Sequence, residues 1–538
     1  MAQAHVETDS VEAPHTNGKP LVADTIGDWV RGAWLPPELH FVVGFVVPAV
    51  ALLANMWAVH RFTTDDAYIS FRYARNFARG LGLVYNPGER VEGYTNFLWT
   101  VILGGGVRLG FDPITLAKVL GAASALGALG MTYVLARRLR PFGHFPCCAT
   151  WLLATSIVFS GYAVWGLETS LITFLVLAAL ELFFREEPSM GEPADSVATA
   201  PALRHARFPW SALVFGLAGL TRPEAPLFMA IPMLFLGRRV MSRRNLLRAG
   251  VFASIVGSHV LFRRLYYGAW LPNSLPAKTG DLNAQFNRGW DYVQNYFVHA
   301  GPLVWLSVFG IVVAVETRRR DLLAIAAVAL SYVGYVVVVG GDWMPYFRFL
   351  SPFEPFAFLL VDIGARSLLD KRKPPGWLAI VAIGFVMFVG RAKNVRGAQR
   401  WVLKTEMQEW QTSAGGVVKW LLDQGKPGPI ALGDIGYVGY MTDYPVVDLL
   451  GLVDPVVAAA PGGYTRKIGP EFTNRIFERA PFYIQLISST KTCDKPSVPT
   501  SEALYNDSRF LQRYRLGGKV LVGGDHAWCI FEASSPAE

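Results

Sequence analysis

Charge is scarce in this chain. Only 17% of its 538 residues are Asp, Glu, Lys or Arg, while 52% are hydrophobic and the mean hydropathy is +0.31. That balance excludes an ordinary soluble domain, and the apolar runs that recur along most of the first 390 residues are the pattern of a polytopic helical membrane protein. The nine histidines are scattered and form no H-x-x-x-H pair, so no metal cage can be read from them. Gly433, Gly436 and Gly439 are spaced G-x-x-G-x-x-G, which is not the dinucleotide fingerprint. No internal repeat is evident, which disfavours a secondary transporter. No cleavable signal peptide is evident either: residues 1–36 are polar and mixed in charge, and read as a disordered cytoplasmic tail before a signal-anchor helix.

The net charge of +9 invites a nucleic-acid partner, but the basic residues fall in short clusters between apolar runs and read as topology determinants. The clusters are Arg137/Arg138/Arg140, Arg204/Arg207, Arg238/Arg239/Arg243/Arg244, Arg318/Arg319/Arg320 and Lys371/Arg372/Lys373. Candidate spans are 38–60, 113–136, 145–164, 167–184, 209–221, 225–237, 248–267, 302–316, 321–340, 349–367 and 376–390. With these eleven crossings all five clusters share one side, which the Lys and Arg excess of cytoplasmic loops identifies as the inside. The count requires residues 94–108 to return to the surface they left, as an interfacial or re-entrant helix. It also requires Thr221 to Glu224, reading TRPE, to divide 209–237 into two short helices.

The expected fold class is therefore a polytopic α-helical membrane protein of about eleven transmembrane helices with a C-terminal periplasmic α/β domain. Its parts are the tail (1–36), the membrane domain (37–390) with a long first outer loop (61–112), and the α/β domain (391–538). In the last, Ile430 to Pro455 and Phe482 to Ser488 supply short apolar strands between Gly/Asp turns. Cys147 and Cys148 open an apolar run and read as packing residues. Cys493 and Cys529 lie in the polar C-terminal part and are candidates to pair if it faces an oxidising compartment.

On the outer face this topology collects Asp65, Asp66, the turn Gly166 to Thr169, Arg222, Glu224, the loop 268–300 and residues 340–349. Two adjacent carboxylates at the end of a span are a functional-site hypothesis, although helix capping or interfacial placement accounts equally for an isolated pair. Arg72, Arg75 and Arg79 follow at helical spacing, so Arg72 is either a contact to lipid headgroups or part of a donor-phosphate site. A carboxylate placed here can take the proton of an acceptor hydroxyl as it attacks an anomeric carbon. A leaving phosphate then needs cations, and Lys278 and Arg348, on separate outer loops, are the candidates. Asp65 is the first choice of base, with Asp66 orienting it, polarising the acceptor or joining it as ligands of a divalent cation. Arg222 and Glu224 form an ion pair or a donor-binding pair. Asp342 beside Trp343 suits a sugar ring, though Trp343 is equally a belt residue. Asn273 binds substrate or caps a turn.

The segments TTDDAYISFRYARNFARGLGLVYNPGERVEGYTNFLWT, LPNSLPAKTG, GGDWMPYFRFLSP and GDIGYVGY with DLLGLVDP, spread from residue 62 to about 455, resemble one bacterial family. It is the AftB-like terminal β-(1→2)-arabinofuranosyltransferase family of the GT-C glycosyltransferases, some of whose relatives are labelled ZomB, a flagellar motor control protein. The resemblance implies a GT-C membrane domain with an outer α/β domain in the bacterial inner membrane, the site facing the periplasm. It implies a polyprenyl-phosphate-linked sugar as donor, an envelope polysaccharide or glycolipid as acceptor, and a catalytic acidic pair falling on Asp65 and Asp66. No cofactor is implied with certainty. The alternative is a non-catalytic scaffold associated with the envelope or flagellar motor.

Overall fold

A computed structural model describes residues 37–139, 147–191, 208–278, 280–372, 396–405, 412–463 and 465–534. The expected tail (1–36) and the expected span 376–390 lie outside the described residues, as do Arg140, Arg204, Arg207 and Lys373. The membrane half begins with α1 (Leu39–Val59), α2 (Asp65–Ala78), α3 (Phe97–Arg108), α4 (Pro113–Leu139) and α5 (Cys148–Ala154). It continues through α6 (Ile157–Val164), α7 (Thr169–Glu186), α8 (Trp210–Thr221), α9 (Ala225–Leu234) and α10 (Arg243–Tyr267). The last five are α11 (Ser274–Lys278), α12 (Leu282–Ala300), α13 (Pro302–Thr317), α14 (Arg320–Val338) and α15 (Glu354–Arg372).

Among the described residues α1, α4, α10 and α14 are each long and apolar enough to cross a membrane. Two bent pairs, α6 with α7 (113°) and α12 with α13 (98°), pass the same test together, giving up to six. The eleven expected spans exceed that count partly because several apolar runs are broken. Residues 145–164 are two helices, since Ser156 turns extended and its hydroxyl accepts from the Phe159 N–H to start α6 afresh. The run 209–237 is also divided: Arg222 is extended (φ −151°, ψ 140°), as a residue before proline tends to be, and Pro223 cannot continue α8. Residues 97–108 form a helix of only 12 residues, about 18 Å long, well short of a ~30 Å hydrocarbon layer.

The C-terminal half is α/β. It comprises α16 (Ala414–Asp423), β1 (Ile430–Leu432), α17 (Tyr437–Thr442), β2 (Val446–Asp448), α18 (Pro455–Ala459), α19 (Pro470–Glu478), β3 (Tyr483–Ser488), α20 (Pro499–Tyr505), α21 (Phe510–Arg513), β4 (Tyr514–Gly523) and β5 (His526–Ala533). The sheet order is β2-β1-β3-β5-β4, with β1 parallel to both neighbours and β5 antiparallel to β3 and β4. The parallel strands β1 and β2 are buried at every residue, as expected of strands covered on both faces.

Helix α2 joins the halves. Ala67, Tyr68, Phe71 and Ala74, at helical spacing, pack into the membrane-side core. Ile69 and Tyr73, four apart on another face, pack with Leu432, Ile435 and Val446 of the α/β core.

Cys493 and Cys529 are joined in a disulfide that closes a sequence separation of 36, tying the turn after β3 to β5. Chain-entropy reasoning gives such a loop about 4 kcal/mol of stabilisation. Reducing it, or substituting both cysteines by serine, is expected to lower the denaturant midpoint of the α/β half by a corresponding amount. An unchanged midpoint would show that the crosslink adds no constraint.

Candidate active site

The site starts where α1 ends. Thr64, in extended conformation, anchors the entry to α2: its N–H and its hydroxyl both bond the Trp165 carbonyl, at 3.1 and 3.3 Å. That close approach needs Gly166 (φ +95°), where a Cβ would crowd Ala67 and Phe71. Asp65 and Asp66 then occupy the first turn of α2, where the helix dipole favours acids.

The two acids face different partners. Asp65 accepts from the backbone N–H groups of Gly436 (2.9 Å) and Tyr437 (2.7 Å), at the start of α17 in the α/β half. Asp66 turns the other way and pairs with Arg348 at 3.5 Å, and Arg348 in turn pairs with the buried Asp342 at 2.6 Å. Lys278, at the end of α11, feels the charges of Asp66, Arg348 and Asp342. Arg222 bonds Glu224 (2.9 Å) and Glu168 (3.0 Å), and Glu168 accepts from Asn96 at 2.7 Å. The Phe349 ring lies 5.3 Å from the Arg222 guanidinium and 5.0 Å from that of Arg348, so the two cations flank one aromatic face.

Arg348 is aimed by an unusual backbone. Tyr346 (φ 57°) and Phe347 (φ 54°) are left-handed, a conformation that costs a bulky residue on the order of 1–3 kcal/mol. Aromatic packing holds them there: Tyr346 against Trp165 and Trp401, and Phe347 against Tyr292 and Tyr296.

The structure thus brings together Asp65, Asp66, Lys278, Arg222, Glu224, Asp342 and Arg348. Trp343 stands beside Asp342 in the chain and is 55% exposed. Arg72 does not join them. Its guanidinium, 1% exposed, is consumed by the carbonyls of Tyr85, Gly439 and Tyr444 and by the Asn86 side chain, and has no reach left for a phosphate. Arg75 and Arg79 pair with Asp443, so the arginine face of α2 meets the α/β half and not lipid headgroups. Asn273 donates to the carbonyls of Gly451 (2.7 Å) and Leu452 (3.0 Å), pinning the loop after β2.

Sequence reasoning did not single out Glu168, whose signal was a lone acid amid apolar residues. It also passed over Asp434, in the GDIGY segment, which stays exposed and has no hydrogen bond or ion pair among the described residues. Burial, the Asp434 charge and the Asp66 charge outweigh the two N–H donors and push the Asp65 carboxyl up to about 8. Asp434 is reached by solvent yet ringed by protein; that desolvation, with Asp66 nearby, pushes it up to about 6. Burial lowers Lys278, partly offset by Asp66. For Arg348 burial opposes the charge, and Asp342 and Asp66 more than restore it, raising the group above its ordinary value.

No group of three or more His, Cys, Asp or Glu among the described residues is arranged to hold a metal ion. Of the two acids considered for a divalent cation, Asp65 accepts the two N–H groups and Asp66 pairs with Arg348.

Residues 399–531 match a family described as a domain of unknown function (DUF8728). Two curated relatives are each named terminal β-(1→2)-arabinofuranosyltransferase, the name suggested by the motifs between residues 62 and 455. The one from Corynebacterium glutamicum is 26% identical over 387 residues, 65% of this chain and 54% of the relative. The one from Mycobacterium tuberculosis is 30% identical over 366 residues, 59% of this chain and 56% of the relative. The chain spans about half the length of the curated relatives it matches. Among solved structures it is similar to ArnT from Cupriavidus metallidurans bound to undecaprenyl phosphate, with TM-score 0.54, 14% identity, and coverage of 93% of this chain and 99% of that one. It is also similar to the oligosaccharyltransferase AglB from Archaeoglobus fulgidus in complex with an inhibitory peptide and a dolichol-phosphate. There the TM-score is 0.52, the identity 12%, and the coverage 84% of this chain and 70% of that one. The shared fold is that of the GT-C glycosyltransferases.

The contact between Asp65 and α17 can be tested at Gly436, where an added Cβ would collide with the Asp65 carbonyl and carboxylate. Gly436→Ala is expected to push α17 off α2 at an overpacking cost of about 1–3 kcal/mol. Hydrogen exchange of residues 436–442 should then accelerate while the sheet stays protected. Unchanged exchange would show that these N–H groups do not depend on Asp65.

Proposed function

We propose that this chain is an inverting glycosyltransferase that moves a sugar of arabinofuranose type from a polyprenyl-phosphate donor to an envelope glycan or glycolipid. The observation that carries the reading is the placing of two adjacent carboxylates beside Arg348, Lys278 and Arg222 at the seam between an apolar helical half and an α/β half. The GT-C fold and the relatives' names support it. The donor's phosphate rests against Arg348 and Lys278, its prenyl tail lies between helices, and Trp343 and Asp342 border the sugar.

Transfer is a single displacement. The acceptor oxygen forms a bond to the anomeric carbon as the bond from that carbon to the phosphate oxygen breaks, and the electron pair leaves with the phosphate. Arg348 and Lys278 meet the charge that grows there. The acceptor's proton passes to Asp65, whose buried surroundings disfavour the ionised form and so make its carboxylate a better base than a free one. Asp66, tied to Arg348, orients the cations and polarises the acceptor.

The site and the α/β domain (391–538) face the periplasm of the inner membrane, and the membrane domain (37–390) crosses about eleven times. The basic residues Arg137, Arg138, Arg243, Arg244 and Arg318 to Arg320 lie at the helix ends that this topology puts inside, in keeping with the positive-inside rule.

Sugar transfer by the protein in nanodiscs, from short-chain polyprenyl-phosphate sugars, tests the reading. Asp65→Asn is expected to lower kcat roughly a hundred- to ten-thousand-fold with donor binding kept, and Asp66→Asn to weaken donor binding as well. Equal turnover by wild type and both variants would remove the acids from the mechanism and favour a scaffold.

The pH dependence carries a second expectation. The Asp65 carboxyl lies at about 8 in the fold against an ordinary 3.8, so the stability it contributes is full below about pH 4 and lost as pH rises through 8. Turnover should rise through the same window as the base ionises. In Asp65→Asn the stability profile should flatten there; a wild-type profile equally flat would refute the assignment.

A further inference from the structure

A cavity of about 560 Å³ opens where the first outer loop, the connection after α10 and the start of α18 meet. Ligand sites commonly occupy about 300–1,000 Å³. Arg90 comes from the first loop, Trp270 and Leu271 from the connection after α10, Asn273 and Leu275 from the start of α11, and Pro455 from the α/β half. Both halves of the protein therefore build it.

The walls are apolar with a few polar atoms placed among them. Trp270 is 61% exposed, with the Arg264 guanidinium 5.7 Å from its ring. Arg90 is exposed and lies over the Tyr266 ring at 4.8 Å, and it makes no ion pair among the described residues, so its N–H groups are available. Asn273 spends its amide N–H groups on Gly451 and Leu452, which leaves its side-chain oxygen as an acceptor. Glu92, at the base, is held by Arg263 and places no spare negative charge in the cavity. An aromatic face beside a guanidinium and an amide oxygen matches a sugar, which offers apolar C–H faces and hydroxyls that both donate and accept. A prenyl chain would leave Arg90 and the Asn273 oxygen without partners. A tryptophan serving only as a membrane belt would not need a concave wall shared with the α/β half.

We infer that this cavity is the acceptor subsite, holding the sugar units of an acceptor glycan that lie behind the reacting one. The inference rests on the transferase reading. The path to the reacting cluster is short: Leu275 and Lys278 are three residues apart on α11, about 4.5 Å along the helix axis, and Lys278 lies within the field of Asp66 and Arg348. A glycan that reaches Leu275 in this cavity thus lies one turn of α11 from Lys278.

Two measurements on the full chain in nanodiscs separate this inference from the reading beneath it. The first is binding of a soluble arabinofuranosyl tetrasaccharide, by saturation-transfer NMR, to wild type, Trp270→Ala, Trp270→Phe and Arg90→Ala. Trp270→Ala and Arg90→Ala should each weaken binding on the order of tenfold, and Trp270→Phe, which keeps an aromatic face, should retain most of it. Both side chains are exposed, so truncating them opens no core cavity. The second is binding of a short-chain polyprenyl phosphate to the same proteins. Loss confined to the tetrasaccharide supports the subsite. Tetrasaccharide affinity equal in all four proteins, or no tetrasaccharide binding by wild type, overturns it. Loss of the polyprenyl phosphate in place of the tetrasaccharide overturns it in favour of a lipid groove. Failure of wild type to bind any polyprenyl phosphate counts against the transferase reading itself, whatever the glycan does.

Discussion

Two backbone N–H groups at the start of α17 close on the carboxylate of Asp65, and much of the molecule depends on that contact. It is short because Gly436 has no Cβ to hold α17 away. Around it α2 forms a seam: Arg72 bonds the Gly439 carbonyl within α17 and the Tyr444 carbonyl beyond it, Arg75 and Arg79 pair with Asp443, and Tyr85 bonds the Ile435 carbonyl at 2.5 Å. A helix that begins at the end of a membrane span is thereby a structural member of the α/β half. The two halves cannot shift independently without moving the acid that both of them hold.

The same geometry distributes charge. Adjacent residues in sequence, Asp65 and Asp66 diverge on a helix by about 100°, the angle set by 3.6 residues per turn. One therefore meets neutral N–H donors and the other meets Arg348. In the proposed mechanism these unlike surroundings let one site hold both a base and an electrostatic anchor. The left-handed pair Tyr346 and Phe347 belongs to this arrangement, because strain at those residues fixes the direction in which Arg348 leaves the chain.

Much of this was legible in sequence. Composition and apolar runs indicate a helical membrane protein, the Pro223 signal divides α8 from α9, and the alternation after residue 429 indicates the α/β half. Among the site residues, those in short polar insertions between apolar runs, such as Asp66, Arg222, Glu224, Lys278, Asp342 and Arg348, stood out because charge there is costly. Arg72 stays open in the sequence between a lipid-headgroup contact and a phosphate ligand because spacing alone cannot tell which face of α2 meets what. That was decided by loops hundreds of residues away, at Gly439 and Tyr444. The split at Ser156 was hidden inside an unbroken apolar run, since a single serine cap is a weak signal. Asp434 was passed over because a Gly-rich turn reads first as a turn.

In the proposed mechanism the stability of Asp65 and its use as a base pull in opposite directions. Burial beside Asp434 makes the ionised form costly, yet only that form can take a proton, so the fold is least comfortable in the state the chemistry requires. The N–H donors of Gly436 and Tyr437 soften the conflict without removing it, because they favour the carboxylate while the surrounding protein disfavours it. An acid held this way needs little solvent rearrangement when it accepts a proton, since its donors already sit on a rigid helix end. This gives the α/β half a physical reason to be fused to the membrane half at α2. Removing it would free Asp65 to solvent, where its carboxyl would return toward its ordinary value and become a weaker base.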